Sequence, residues 1–300
     1  MSNCQSILVV IILTLDFLDI EACQTYRKMA STSTSLKVLL VFDVDAESCT
    51  NLAENFCRNK PIIDLIICCG PFLGADHDNT NNDLTRSKES QAVANGNIAS
   101  MLASLEQIQC RVIYCPSSLT DSSASSTAQP YLTPNSINIH ARKLDLRDDL
   151  YVIGFSETND NLAHIDNIDN EDDDELLNVE VSSGMSSIKT IGEIINNSNL
   201  AASASNSVHQ TGIFVLNYRF THTLNHVLFH MPELLEAAHI SICIIPQASD
   251  STLHLPERFG NLSIISPRSL RTDGCYTVLD LALTEEGEGW GLLKTETLKL

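Results

Sequence analysis

The stretch KVLLVFDVD, residues 37–45, decides the fold that we predict for this chain. After the leading lysine it runs through five apolar residues, as is typical of a strand that is buried on both faces. Apolar residues at helical spacing predict a helix over residues 48–58, which Pro61 ends. A second apolar run, residues 62–69, ends in Gly70-Pro71. The pattern predicts a β-α-β unit with parallel strands and a right-handed connection.

The alternation of helices and strands continues downstream. A second helix is expected over residues 89–109 and a third strand over residues 111–115. Three short apolar runs follow closely enough to form antiparallel neighbours; they cover residues 137–139, 144–146 and 150–155. A helical stretch and five later strands complete the pattern, at residues 212–216, 223–239 (helical), 241–245, 262–265, 276–283 and 290–297. Periodicity alone supports a simple doubly wound sheet.

Two parts of the chain fall outside this pattern. Residues 158–210 join an acidic stretch to Ser/Asn-rich sequence that is too polar to support a packed core. Residues 1–36 precede the first convincing strand. We therefore expect one domain over residues 37–300 that carries a disordered insertion at 158–210, preceded by a leader or mispredicted extension.

The leader has three interpretations. Residues 7–15 form an apolar run far shorter than the roughly 20 residues that a membrane-spanning helix needs. The run has the length of a signal-peptide core, but no Lys or Arg precedes it. It is a poor signal peptide, an extra helix packed on the domain, or sequence upstream of a true start at Met29. We favour Met29, because a small polar leader before the first strand is an ordinary N-terminus.

The charge excludes two classes of partner. The chain has 38 acidic and 18 basic residues, which gives a net charge of −20. Nucleic-acid binding depends on basic residues that contact phosphates, and anionic membrane surfaces repel such a chain. Nine acidic residues and no Lys or Arg lie between Asp160 and Glu180, the acidic segment. We expect the acidic segment to present its charge to an unknown basic protein partner.

Cysteine usage indicates a reducing compartment. Four of the ten cysteines lie in or at the ends of apolar runs, where thiols behave as small hydrophobes; these are Cys68, Cys69, Cys115 and Cys243. The sequence contains no Cys-x-x-Cys pair, which would indicate a zinc ribbon or a redox motif. We expect free thiols and a cytoplasmic protein, or a secreted protein if residues 1–23 act as a signal peptide.

The usual motifs of three enzyme classes are absent from the sequence. It contains no Gly-x-Ser-x-Gly of the α/β-hydrolases and no Gly-x-x-x-x-Gly-Lys-Ser/Thr of the P-loop NTPases. It also lacks the Gly-x-Gly-x-x-Gly fingerprint of dinucleotide-binding folds.

Instead, the order of elements and several strand ends carry a resemblance. The strand ends are Asp43-Val-Asp45, Gly70-Pro71, Pro116-Ser-Ser-Leu-Thr120, Asn217, Pro246-Gln-Ala-Ser249 and Pro267-Arg-Ser-Leu-Arg271. In order and position they resemble the calcineurin-like metallophosphoesterase superfamily over about residues 37–283, apart from the insertions. The resemblance implies an α/β sandwich of two mixed β-sheets flanked by helices. It also implies a two-metal centre at the carboxyl ends of the strands, where the ions would hold phosphoryl oxygens and deprotonate a water.

The resemblance places most of the metal ligands on unsuitable residues. Asp43 is the one position with the same residue type as the family's metal ligand, while Asp45 and Asn217 stand where histidines are expected. Pro71 replaces the bridging aspartate and has no side-chain donor or acceptor. The positions of an Asn and three His are taken by Ser118, Leu119, Gln247 and Ser249. We expect positions 43, 71, 118, 119, 217 and 247 to converge at one cleft, as a vestigial metal site.

Relocated ligands are the alternative. Asp76 and His77 lie in a loop near the missing bridging carboxylate, although a solvated polar loop explains them better. His222, His226 and His230 share one face of a helix, but no Glu lies between them as in a known zinc helix. Asp43 also has an ordinary interpretation as a strand-end or helix-cap residue. Arg268 and Arg271 are either anion ligands at the old phosphate cleft or, more simply, solvated loop residues.

Three functional hypotheses follow. The first is a non-catalytic metallophosphoesterase-like domain, a pseudoenzyme that binds a partner or serves as a scaffold and needs no cofactor. The second is a divergent phosphoesterase that holds two divalent metals through relocated ligands such as Asp76, His77, His222 and His226. In the third, the acidic segment is the working part of the chain.

Overall fold

The computed structural model describes residues 33–59, 61–73, 88–116, 133–156, 192–193, 210–217, 235–236, 238–246, 257–284 and 289–300. Nearly all of the predicted insertion at 158–210 and of the helical stretch at 223–239 lies outside these residues. The same holds for the leader up to residue 32. Those three expectations therefore stay predictions.

Strands and helices alternate in the first part of the described chain. The elements there are β1 (Ser35–Asp45), α1 (Ala46–Asn59), β2 (Leu65–Leu73), α2 (Lys88–Glu106), β3 (Arg111–Cys115), β4 (Ser136–Asn138), β5 (Arg142–Arg147) and β6 (Leu150–Ser156). Strands dominate the remainder, which contains β7 (Thr211–Asn217), β8 (Ile240–Ile244), β9 (Arg258–Phe259), β10 (Leu262–Ile265), α3 (Leu270–Asp273), β11 (Cys275–Leu283) and β12 (Trp290–Lys299).

The strands form two mixed sheets of six strands each. The first sheet has the order β12-β11-β1-β2-β3-β4, with β1 to β4 parallel and β11 antiparallel to both of its neighbours. The second has the order β5-β6-β7-β8-β10-β9, in which the four inner strands are parallel. The predicted sandwich of two mixed sheets is confirmed, and the simple doubly wound sheet is wrong.

β1 shows how the layers are built. Val38, Leu40 and Phe42 point into the core between the two sheets, while Leu39 and Val41 point to the core under α1 and α2. Side chains of a strand alternate between faces, so a strand covered on both sides must be apolar throughout. The continuous apolar run that predicted β1 is therefore explained by burial from two directions.

The short runs after β3 correct one prediction. β4 was expected to be an antiparallel neighbour of β5 and β6, but it pairs parallel with β3 at the edge of the first sheet. Of the three runs, only the two that form β5 and β6 are antiparallel neighbours, and they lie in the second sheet. The chain changes sheets at Ala141, whose φ of 53° lies in the left-handed region. Such a turn carries no apolar periodicity, and the sequence pattern therefore does not reveal it.

β2 also continues beyond its predicted end at Gly70-Pro71 and reaches Leu73. Its pairing with β3 stops at Cys69 and Cys115, so Pro71 comes after the last β3 pair. A proline without an N–H is tolerated there. The Gly70-Pro71 peptide is cis. The described cysteines are free thiols, and Cys68, Cys69, Cys115 and Cys243 are buried as expected.

Candidate functional site

Asp43 lies at the carboxyl end of β1 in an irregular backbone. Its φ is 50°, and the register of β1 against β2 shifts between Phe42 and Val44. The shift puts Asp43 opposite Gly70-Pro71, between the paired residues Phe42–Cys69 and Val44–Phe72. The residue is 7% exposed. Two residues of β2 thus lie opposite one residue of β1, which is a β-bulge, and Asp43 falls outside the regular pairing. A buried carboxylate needs partners to bind its charge.

Both carboxylate oxygens of Asp43 are bound by the segment that leads into β11. The Ser269 hydroxyl donates to Oδ2 at 2.6 Å. Arg271 donates from Nε to Oδ1 at 3.1 Å and from Nη2 to Oδ2 at 3.4 Å. Asp43 is therefore the acceptor of a neutral and a charged donor that come from one short segment.

Ser269 is fixed by its place at the start of α3. Its hydroxyl oxygen accepts the Thr272 N–H at 2.9 Å as the N-cap, and α3 ends at Gly274 in the left-handed region. Since the hydroxyl oxygen accepts from the helix, its proton is available to Asp43. Gly274 reverses the chain into β11. Sequence and local geometry thus present Ser269 and Arg271 to the same carboxylate.

Arg271 is exposed, as the simpler interpretation expects, and it also binds a carboxylate. Its side chain is 38% exposed, but the guanidinium forms an ion pair with Asp43 at 3.1 Å. Arg268 is exposed. The two arginines of the segment therefore differ, since one supports the strand end and the other faces solvent.

Asp45 is a helix cap. Its Oδ1 accepts the Ser48 N–H at 2.7 Å, and the Asp45 N–H donates to the Ser48 hydroxyl at 3.1 Å. This reciprocal pair satisfies free N–H groups at the start of α1. The capping role that we considered for Asp43 thus belongs to Asp45.

Asn217 connects the two sheets at their carboxyl ends. It is 6% exposed, and its side-chain nitrogen donates to the carbonyl oxygens of Gly70, Cys115 and Pro116, each at 3.3 Å. Gly70 belongs to β2, and Cys115 and Pro116 close β3, whereas Asn217 ends β7 of the other sheet. An amide nitrogen is a donor only and carries two hydrogens, so at least one hydrogen is shared between two of the three carbonyl oxygens. These contacts bring positions 71 and 217 to the same end of the sandwich.

A histidine and a serine that we did not predict lie beside Asn217. Ser156 is the register partner of Asn217 in the neighbouring strand. The Ser156 N–H and hydroxyl both approach Nδ1 of His140, at 3.2 and 2.7 Å. Because the N–H can only donate, Nδ1 is an acceptor and the ring proton resides on Nε2. Burial, and next the charge of Arg142, lower the pKa of His140 to about 4.

The sequence offered no signal for the His140–Ser156 pair. His140 lies between β4 and β5, where the chain changes sheets, and Ser156 ends an apolar run before the insertion. The two residues are 16 positions apart and meet because the chain that enters β5 runs beside the end of β6, where His140 is bridged to Gly154.

The remaining candidate positions lie outside the described residues: Ser118, Leu119, Gln247, Ser249, Asp76, His77, His222 and His226. Within the described part of the chain, no group of three His, Cys, Asp or Glu side chains could hold a metal ion. The donors at positions 43, 71 and 217 do not fit a two-metal centre. One carboxylate is bound by Arg271, one amide donates to carbonyls, and Pro71 has no ligand atom. The described helices include none that is long and apolar enough to cross a membrane.

Comparisons with known proteins define a fold similarity. No protein-family profile and no curated protein matches the chain. TT1561 of Thermus thermophilus superimposes with a TM-score of 0.45 at 12% identity, over 89% of this chain and 99% of the other. A calcineurin-like phosphoesterase, YfkN from Bacillus subtilis, gives a TM-score of 0.45 at 9% identity, over 88% and 90%. These likenesses concern the course of the backbone alone.

Proposed function

We propose that this chain is a metallophosphoesterase-like domain that has lost its two-metal centre and acts as a non-catalytic binding or scaffold protein. The observation that carries the proposal is that Ser269 and Arg271 donate hydrogen bonds to the two carboxylate oxygens of Asp43. A divalent cation at this carboxylate has to compete with both donors for the lone pairs of the two oxygens. Arg271 already supplies the positive charge that a buried carboxylate needs.

Asn217 supports the same conclusion. The resemblance expects an imidazole ligand at this position, whereas the Asn217 nitrogen donates to three carbonyl oxygens and only the amide oxygen has lone pairs. These hydrogen bonds, which we call the Asn217 clamp, commit the amide to holding β2, β3 and β7 together. Divalent ions repay their own desolvation only when several anionic or imidazole donors surround them.

The test is metal content measured together with activity. We expect the purified protein to hold no stoichiometric Mn, Fe or Zn by elemental analysis. With those metals added, we expect no turnover of an aryl phosphodiester. Asp43→Ala is the site variant, and Arg58→Ala, at an exposed helical ion pair, is the control. One or two equivalents of metal, with turnover lost in Asp43→Ala alone, would overturn the proposal. Turnover lost instead in His77→Ala or His226→Ala would establish a relocated metal centre.

For the partner, we propose that the acidic segment binds a basic protein surface. The nine acidic residues between Asp160 and Glu180 carry almost half of the net charge. Replacement of the nine acidic residues from Asp160 to Glu180 by Asn or Gln should abolish retention on an immobilised Lys-rich peptide. It should leave the thermal unfolding of the domain unchanged, because the connection between the parallel strands β6 and β7 keeps its length. Equal retention of the neutralised and the original chain would contradict this role.

A further inference from the structure

β12 is a long edge strand of the first sheet. One side pairs with β11, and no described strand pairs with its other side. Seven consecutive residues, 293–299, are exposed. A strand edge of this length exposes unpaired N–H and C=O groups and is a template for further pairing.

The register shows which peptide groups face outward. The Leu300 N–H donates to the Gly274 carbonyl oxygen at 2.7 Å, and Lys299 is opposite Cys275. In an antiparallel pair, hydrogen-bonded positions alternate with positions whose N–H and C=O point away from the partner. Lys299, Thr297 and Thr295 therefore direct their N–H and C=O groups away from β11. The Thr277 and Thr297 hydroxyls are 3.3 Å apart, as expected for the closer, non-hydrogen-bonded pair.

The sequence of β12 selects one symmetric pairing. Two antiparallel copies of an edge strand are related by a two-fold axis that passes between the two copies of one residue, which we call the residue at the axis. An axis at Lys294 or Glu296 sets like charges against each other, and an axis at Thr297 pairs no charges. An axis at Thr295 sets Lys294 opposite Glu296 of the second copy, twice.

The charges around Thr295 then form an alternating square. Within one chain, Lys294 and Glu296 already form a surface ion pair, with side chains 56% and 44% exposed. In the symmetric pair, each of these charges gains an opposite charge across the interface, and like charges lie on the diagonals. β12 carries two lysines and one glutamate in a chain of net charge −20, so the contact strand itself adds nothing to the negative charge by which two copies repel each other.

We propose that a second copy of this chain pairs with β12 antiparallel, with the two-fold axis at Thr295. The two Thr295 residues exchange N–H···O=C bonds, and the first sheets of both copies join into one continuous sheet. Two Lys294–Glu296 pairs fix the register.

The test is the oligomeric state of the full chain by sedimentation equilibrium, with a matched pair of variants. Thr295→Pro removes an outward N–H and no bond to β11, and a proline is tolerated at a strand edge. Thr295→Ala keeps the N–H. We expect a concentration-dependent dimer for the wild type and Thr295→Ala, and a monomer for Thr295→Pro with unchanged circular dichroism.

Charge variants test the register. Glu296→Lys should raise the dimer Kd by roughly tenfold, because all four charges at the axis become positive. The double variant Lys294→Glu/Glu296→Lys restores alternating signs and should restore the wild-type Kd. A monomeric wild type, a dimer that survives Thr295→Pro, or a double variant as weak as Glu296→Lys would each overturn the proposal.

Discussion

The guanidinium of Arg271 binds the carboxylate of Asp43 across 228 positions of sequence, with Nε 3.1 Å from Oδ1. The pair joins the end of β1 to the segment that precedes β11, beside the isolated pairing of Phe42 with Ser269. It therefore stabilises the closure of the first sheet at the end where the resemblance places metal ligands.

Removal of the Arg271 charge should destabilise the fold. In Arg271→Met, Asp43 keeps only the Ser269 hydroxyl as a donor, and its side chain is only 10% exposed in the wild type. We expect a loss of about 1–2 kcal/mol in the free energy of unfolding, measured in urea, since the arginine is itself partly solvated. Arg58→Met breaks an exposed ion pair with Glu54 and should lower the free energy of unfolding by only about 0.3–0.5 kcal/mol. Equal losses in the two variants would show that the Asp43 pair contributes no more than a surface contact.

The Asn217 clamp predicts two graded variants. Asn217→Leu leaves three buried carbonyl oxygens without their donor and should cost about 2 kcal/mol. Asn217→Asp places carboxylate oxygens against those carbonyls, which raises the pKa of the new carboxyl in the folded state. Its stability relative to wild type should fall as the pH rises through that pKa, and recover in acid. Urea titrations at acidic and neutral pH measure both effects. An Asn217→Asp deficit that is independent of pH would contradict the clamp geometry.

His140 predicts a pH dependence of stability. Its pKa is about 4 in the folded protein and about 6.5 when unfolded, so between these values the unfolded state binds more protons. Stability should thus fall as the pH is lowered from about 6.5 to 4, by roughly 3 kcal/mol from this group, and level off below. In His140→Gln the part of the slope due to this residue should vanish. His239, which is exposed, provides the control. If His239→Gln reduced the change of stability with pH as much as His140→Gln does, the attribution of that change to His140 would be wrong.

Gly154 of β6 lies very close to Ile139, the residue that follows β4. A Cβ built there lies 2.6 Å from Cγ1 and 2.8 Å from the backbone oxygen of Ile139. Gly154→Ala should therefore cost about 1–3 kcal/mol, because backbone has to move. At Gly291 a Cβ meets only Thr284 Cγ2 at 3.5 Å, and Gly291→Ala should change stability by less than about 1 kcal/mol. The melting temperatures of the two variants test this difference in stability. Equal melting temperatures would show that Ile139 moves aside at no cost and would contradict the prediction.

Apolar patterning was sufficient for the strands that are buried on both faces. β3 and β10 have the predicted bounds, and β1 and β6 extend the predicted runs by one to three residues at their ends. Those strands carry their own signal because each residue type is dictated by burial. β9 was not predicted, because two residues, Arg258 and Phe259, are too short for a periodicity.

The partners of the polar residues were beyond the sequence. Nothing local to Asp43 shows that Arg271 returns to it, since that contact depends on β11 pairing antiparallel with β1. The exchange of roles between Asp43 and Asp45 has the same origin. Only the backbone at the end of β1 decides which of two aspartates meets the first turn of α1.

The neighbours of β1 also impose an order on biosynthesis. β2 follows β1 closely, whereas β11 begins at Cys275, about 230 residues after β1 ends at Asp45. At ribosomal speeds that interval lasts roughly ten to fifty seconds. Until then the nascent chain carries an apolar strand whose second neighbour does not yet exist, and the first sheet stays open at its centre. The first sheet therefore cannot close before β11 has been synthesised, and a chain that ends before residue 275 keeps an open, aggregation-prone strand edge.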